Sequence, residues 1–280
     1  MADPDREISV MGILNLTDDS FYAGSRCLGA DGGIDLEQVI GKIRQMFADG
    51  AGIVDIGACS SRPGAVLPDS AEEWRRLRPL IAVLRDEFPD GLFSIDTFRA
   101  DIVSKCHDAL GHFIVNDISA GEDDPQMLET VGSLGLGYIA MHKRGRPADM
   151  QERCSYRDVA GEVLEYFEDF GVRAGKAGIR EWILDPGFGF AKTLDQNYAL
   201  LRDLDRLTAA GRKILIGISR KSMIYRLINA SPEDSMTQTQ VLHMAALERG
   251  ADILRVHDVA ETVRTVMLYR KLEGSAADFS

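Results

Sequence analysis

Apolar positions along this chain come in two alternating patterns. The first is a short β-rich run that stops at the first polar or glycine residue, and it recurs eight times. Residues 8–14 stop at Asn15, 53–56 carry Asp55 and stop at Gly57, 92–95 stop at Asp96, and 113–115 stop at Asn116. Residues 138–141 stop at His142, 182–184 at Asp185, 214–218 at Ser219, and 253–256, which carry Arg255, at His257. The second pattern is helical and separates the runs. Leu36, Val39, Ile40, Ile43 and Phe47 share one face of a helix predicted over 36–48, and Leu77, Leu80, Ile81 and Leu84 one over 71–88. Val159, Val163, Phe167 and Phe170 mark another helix, and Val259, Val263, Val266 and Met267 the last. Gly50, Gly135, Gly211 and Gly250 fall just before strands, where a helix C-terminal stop belongs.

Eight strands alternating with helices predict an α/β fold, a (β/α)₈ TIM barrel in a single domain over 1–280, with its core at about 8–272 and short tails. The strands are continuously apolar, as a parallel sheet buried on both faces requires. A doubly wound open sheet is the alternative. In a barrel the polar terminators converge on the C-terminal mouth, where the active site of such a fold lies.

Composition narrows the range of functions. The chain has 280 residues, 45% of them hydrophobic, which is enough for a sizeable core. Its formal charge of −12 argues against non-specific binding to nucleic acid or an anionic membrane. Cys27, Cys59, Cys106 and Cys154 are scattered without a C-x-x-C, so neither a disulfide framework nor a structural zinc site is expected. The N-terminus lacks the pattern of a signal peptide and no apolar run approaches a membrane span, so the cytoplasm is the expected compartment.

The terminators form two chemical groups. Asp96, Asn116 and Asp185 supply acceptors and Lys221 a charged donor, a set suited to a heterocycle edge that carries several N–H groups beside a carbonyl. Met141 and Phe190 suit its flat faces. The stretch Asp185-Pro186-Gly187-Phe188-Gly189-Phe190-Ala191-Lys192 reads as a buried strand opening into a tight loop at this pocket. Lys192 ranks below Lys221 as its cation. The second group suits an anion: Arg255 and His257 alternate on the eighth strand, Ser61, Arg62 and Pro63 lie in the loop after the second, and Asn15 ends the first. Structural readings stand beside these: an N-cap for Asp96, a solvated side chain for Lys221, a structural histidine for His257 and a surface ion pair for Arg62. Gly187-Phe188-Gly189 lacks the third glycine of a dinucleotide fingerprint, and the chain has no H-E-x-x-H, Walker-type glycine run or nucleophile elbow.

Seven ordered motifs resemble those of the dihydropteroate synthase family. They begin with Met11-Gly12-Ile13-Leu14-Asn15-Leu16-Thr17-Asp18-Asp19-Ser20-Phe21 and Asp55-Ile56-Gly57-Ala58-Cys59-Ser60-Ser61-Arg62-Pro63-Gly64-Ala65. Ser94-Ile95-Asp96-Thr97, Val115-Asn116-Asp117-Ile118-Ser119 and Asp185-Pro186-Gly187-Phe188-Gly189-Phe190 follow, then Ser219-Arg220-Lys221-Ser222 and Arg255-Val256-His257-Asp258-Val259. The resemblance spans nearly the whole chain. It implies a (β/α)₈ homodimer in folate biosynthesis, a sulfonamide target that joins 4-aminobenzoate to 6-hydroxymethyl-7,8-dihydropterin diphosphate with Mg²⁺.

Carried onto this chain, the resemblance implies pterin contacts from Asp96, Asn116, Met141, Asp185, Phe190 and Lys221. It implies diphosphate contacts from Asn15, Ser61, Arg62, Arg255 and His257, a metal contact from Asn15, and a 4-aminobenzoate site at Ser222, Arg62 and Pro63. Three departures accompany it. Asp18 stands where the family has proline, Ala58 and Cys59 replace Gly-Glu, and Ala23 replaces the first loop's usual aspartate, leaving Asp18, Asp19 and Asp31 as candidates for that role. The implied mechanism is displacement at the pterin methylene, with Mg²⁺, Arg255, His257 and Asn15 stabilising the departing diphosphate. The alternatives are a non-catalytic pterin-binding relative and a methyltetrahydrofolate-dependent methyltransferase on the same barrel.

Overall fold

The computed structural model describes residues 6–16, 34–59, 67–145 and 154–274. The chain alternates strand and helix from end to end: β1 (Ser9–Asn15), α1 (Leu36–Ala48), β2 (Ile53–Gly57), α2 (Ser70–Glu87), β3 (Phe93–Asp96), α3 (Ala100–Leu110), β4 (Ile114–Asp117), α4 (Met127–Leu134) and β5 (Gly137–Met141). Then come α5 (Val159–Ala177), β6 (Trp182–Asp185), α6 (Leu194–Arg202), β7 (Leu215–Ile216), α7 (Ser222–Tyr225), α8 (Met236–Glu248), β8 (Ile253–Val256) and α9 (Val259–Leu272), with short 3₁₀ turns at Leu204–Ala210 and Glu233–Ser235.

Local chemistry sets the helix ends. Asp35, Asp69 and Asp158 each accept a first-turn amide at the N-terminus of α1, α2 and α5, and Thr193 with Gln196 forms a capping box on α6. Gly50, Gly135, Gly211 and Gly250 all take positive φ, so the expected glycine stops are present. The helix Asp96 was considered to cap begins only at Ala100, whose amide is taken by Asp124 Oδ2 at 2.8 Å. Asp96 is therefore not an N-cap.

The strands run in the order β6-β5-β4-β3-β2-β1-β8-β7, every pair parallel. A parallel bridge between Leu184 and Ile214, with the Leu184 amide on the Lys213 carbonyl at 2.9 Å, joins the ends and closes the barrel. Only Leu215–Ile216 of the run predicted over 214–218 pairs as β7; Gly217 ends the ladder, and the Ile218 carbonyl already accepts the Lys221 amide in a turn. Among the described residues no helix is long and apolar enough to cross a membrane.

Two apolar clusters result. The larger lies between the sheet and the helices. The smaller fills the barrel: Met11, Ile53, Ile139, Leu215 and Ile253, with Ile114 and Ile183 packed against them. Side chains alternate along a strand, so the residue two places beyond each of these faces the barrel axis one layer higher. In β2 that residue is Asp55, in β4 Asn116, in β5 Met141, in β6 Asp185 and in β8 Arg255; β3 adds Asp96, two beyond Ser94. An apolar floor thus carries a polar ring.

Candidate active site

The centre of the ring is Asp55, fully buried in β2. Its carboxylate accepts from the Ser94 hydroxyl, from Asn116 Nδ2 at 3.2 and 3.1 Å, and from Arg255 Nε at 2.7 Å. Arg255 Nη2 reaches Asp55 Oδ2 at 2.6 Å and Asp96 Oδ2 at 3.1 Å, so one guanidinium holds two carboxylates. Burial and the adjacent Asp55 push the Asp96 carboxyl up to about 7, against the pull of Arg255. Burial pulls the Arg255 guanidinium down, yet Asp55 and Asp96 hold it above its usual value. Arg255, assigned to the anion from the sequence, is also the electrostatic tie of the ring. Asp55 was not among the site residues read from the sequence. The signal was there: a charged side chain inside an apolar strand, two places beyond an inward isoleucine.

Asp185 ends β6 and is 8% exposed. Its Oδ1 accepts the Gly187 amide at 2.8 Å, leaving Oδ2 for a ligand. The chain then turns sharply, with Gly187 at φ +69 and Gly189 at φ +83. A Cβ on Gly187 would stand 1.9 Å from the His142 carbonyl oxygen and 3.4 Å from Met141 Cγ, so only glycine permits this loop to lie against the end of β5. Lys221 Nζ donates to the Phe188 carbonyl at 2.5 Å and sits 4.9 Å from the centroid of the Phe190 ring. It is half-buried, not solvated. Burial brings its ammonium down to about 8, opposed by Asp185. Met141, Asp185, Phe190 and Lys221 therefore share one wall of the mouth.

The adjoining rim, after β7 and β8, holds the anion candidates. His257 is exposed just past β8; its amide donates to the Ser219 hydroxyl at 3.2 Å, and its Nδ1 lies 3.1 Å from the same oxygen. Arg220 grips Asp258 through Nε at 2.9 Å and Nη2 at 2.6 Å, tying the loop after β7 to the loop after β8. Ser222, half-buried, opens α7 directly after Lys221. A Cβ on Gly57 would stand 3.5 Å from Asn15 Oδ1 and 3.6 Å from Asp96 Oδ2, so two oxygens flank the bare glycine. Asn15 thus adjoins the ring, not the His257 rim alone. Ser61, Arg62 and Pro63 lie outside the described residues, as do Asp18, Asp19, Ala23 and Asp31 of the first loop. Both flanks of residues 60–66 are held by one side chain: Arg99 Nη1 lies 3.6 Å from Cys59 Sγ, and its Nη2 donates to the Pro68 carbonyl at 2.5 Å. The buried Glu73 carboxylate pairs with Arg99 beneath them.

Three carboxylates, an amide and a lysine on a rigid ring, with a thioether and an aromatic face beside them, suit a flat heterocycle bearing a guanidine-like edge. The barrel and its mouth define a heterocycle-binding (β/α)₈ enzyme. Residues 11–257 match the family described as pterin binding enzyme, and the chain belongs to that family. Its relatives include dihydropteroate synthases. The one from Escherichia coli (strain K12) is 38% identical over 261 residues, 92% of this chain and 89% of that protein. The one from Synechocystis sp. is 40% identical over 255 residues, 89% of this chain and 85% of that protein. Among solved structures, a sulfonamide drug complex of Yersinia pestis dihydropteroate synthase superposes with a TM-score of 0.89 at 35% identity, covering 98% of this chain and 97% of that one. Xanthomonas albilineans dihydropteroate synthase with 4-aminobenzoic acid superposes with a TM-score of 0.84 at 34% identity, covering 96% and 94%.

Proposed function

We propose that this chain catalyses dihydropteroate synthesis in the cytoplasm, joining 4-aminobenzoate to 6-hydroxymethyl-7,8-dihydropterin diphosphate. The arylamine nitrogen forms a bond to the pterin methylene carbon, the bond from that carbon to the diphosphate oxygen breaks, and the amine loses a proton. The observation that carries this reading is the ring. Asp185 Oδ2, Asp96 and the Asn116 side-chain oxygen accept from the pterin edge, Lys221 donates, and Met141 and Phe190 cover its faces. The free thiols of Cys59, Cys106 and Cys154 suit a reducing compartment.

The ring fixes the pterin so that its methylene faces the rim, where Arg255 and His257, with Ser61 and Arg62 from the loop after β2, receive the diphosphate. Ser222, Arg62 and Pro63 take 4-aminobenzoate. Positioning carries most of the rate, because an electron-rich dihydropterin supports the developing methylene cation. Among the described residues no group of three or more His, Cys, Asp or Glu side chains would cage a metal. The oxygens of Asn15 and Asp96 beside Gly57 form a sparse, oxygen-only set, which fits Mg²⁺, an ion that keeps waters and takes further ligands from phosphate. Asn15 would hold it, and when bound it neutralises charge on the departing diphosphate.

Incubating the protein with both substrates and Mg²⁺ tests the reading. Diphosphate is expected only when 4-aminobenzoate is present, and chelation of the metal is expected to stop its release. No release with both substrates would leave a non-catalytic pterin binder. Methyl transfer from methyltetrahydrofolate to a corrinoid protein would establish the methyltransferase instead.

We also propose a homodimer built on α7, α8 and α9. Leu227 and Ile228 after α7, Val241 on α8, and Leu268 and Leu272 on α9 are exposed large apolar side chains. The last two helices are locked side by side through Gln240, Thr262 and Thr265. An apolar surface spread over neighbouring helices is what a homodimer interface covers. Sedimentation at micromolar concentration is expected to give a dimer, and Val241→Asp with Leu268→Asp a monomer. A monomeric parent protein would overturn this assignment.

A further inference from the structure

Lys192 closes the β6–α6 loop and has no part in the chemistry above. It is only 3% exposed, which is rare for lysine without partners. Each donor of its ammonium has one: Nζ lies 3.0 Å from His142 Nδ1, 3.0 Å from the Gly187 carbonyl and 3.2 Å from the Phe190 carbonyl. An ammonium has three N–H bonds, so all are used. The acceptors span the pocket wall. Gly187 carries the amide bound to Asp185, Phe190 is the aromatic face, and His142 follows Met141, its amide on the Asp185 carbonyl at 2.9 Å. Burial, helped by Lys192 and Arg144, holds the His142 imidazole well below its usual range, so it stays neutral and one ring nitrogen can accept.

The loop needs such a tie. Gly187, Gly189 and Ala191 all have positive φ, and for Ala191, at φ +49, the side chain makes that conformation unfavourable. Asn197 supports the far side, its Oδ1 accepting the Gly189 amide at 2.7 Å and its Nδ2 donating to the Lys192 and Thr193 carbonyls. On the side facing β5, Lys192 is the side chain that gathers Gly187, Phe190 and His142 together. It also adds positive charge behind Asp185. Burial raises the Asp185 carboxyl, and the charged groups that oppose this are Lys221, Arg255 and Lys192. Burial brings Lys192 itself down to about 7, and below that it carries the positive charge that opposes protonation of Asp185.

We propose that Lys192 is a positioning residue for the pterin pocket: its buried ammonium holds the Asp185–Phe190 wall in its left-handed path and supports the Asp185 carboxylate as an acceptor. The inference rests on the pterin reading of the ring.

The test uses the full chain with Lys192→Met, which has no donors, and Lys192→Gln, which keeps donors without charge. Calorimetry with 6-hydroxymethyl-7,8-dihydropterin from pH 5 to 8 is paired with KM for each substrate. Lys192→Met is expected to weaken pterin binding about 10- to 100-fold, the scale of a wall displaced by a fraction of an ångström to one ångström. KM for 4-aminobenzoate is expected to stay unchanged. Lys192→Gln is expected to recover part of the affinity. In both variants the acid limb of pterin affinity moves to higher pH, because a cation opposing protonation of Asp185 is gone. Parental affinity with an unmoved acid limb would overturn the proposal. Lower stability alone, with the folded protein binding as before, would overturn it too. Should Lys192→Met fail to fold, the acid limb of Lys192→Gln decides. If the parent protein binds no pterin, the reading of the ring falls, and the inference with it.

Discussion

An Arg255→Met variant is expected to lose about 3–5 kcal/mol of stability, the cost of leaving buried charges without their partner. In the ring, Arg255 touches both Asp55 and Asp96, and the uncharged Asn116 and Ser94 complete the set around Asp55. Methionine fills much of the volume but leaves two neighbouring carboxylates facing each other. The loss has a pH signature. Asp96 already sits at about 7 because burial and Asp55 raise it, and removing Arg255 raises it further. A carboxyl raised in the folded state contributes stability that is complete below its unfolded value and is lost as pH rises through the folded value. The gap between variant and parent should therefore be narrower at pH 5 than at pH 8, where it reaches roughly 10 °C in melting temperature. Thermal melts across that range provide the check. A gap independent of pH would mean that Arg255 does not tie the ring electrostatically. If pterin diphosphate lost no more affinity than the pterin alcohol in the folded variant, the anion role of Arg255 would also be wrong.

Asp185→Asn is expected to leave the fold intact and weaken pterin binding by at least 100-fold, since hydrogen bonds to a charged group contribute about 1.5–3 kcal/mol each and a mismatched donor adds to the loss. The asymmetry of the site explains both halves. Oδ1 accepts the Gly187 amide, and an asparagine carbonyl can do the same, so the turn survives. The other position then becomes an NH₂ directed at the N–H edge it should accept from. Calorimetry with the pterin alcohol measures the effect, and circular dichroism confirms the fold. Parental affinity in this variant would rule out Asp185 as the pterin anchor.

Much of this was legible in the residue pattern. The alternation of apolar runs with helical spacing specified the barrel, and the first polar residue after each run marked the mouth. That rule found Asp96, Asn116 and Asp185 because each is the first polar residue after its apolar run, at the last position of β3 and β6 and one before the last of β4. It missed Asp55, which lies two residues before the end of β2; only the two-residue phase of a strand shows that it turns inward, where it meets Arg255. Helix α8 gave no periodic signal because it carries apolar side chains both toward the core, at Ala246 and Leu247, and outward, at Val241. Lys192 was ranked below Lys221 because linear order does not show that its three acceptors come from a turn and from the end of a different strand. The Ala23 departure and the arylamine loop residues Ser61, Arg62 and Pro63 fall outside the described residues, so they remain sequence readings.

The two-residue phase between floor and ring also governs how this protein can change over time. A point substitution at Asp55, Asn116 or Asp185 alters the chemistry and leaves the isoleucine two places before it in the floor. Inserting or deleting one codon ahead of both in the same strand would turn its floor residue outward and its ring residue with it. Inherited variation in the catalytic layer is therefore confined to spelling, while differences in length must settle in the loops between strand and helix.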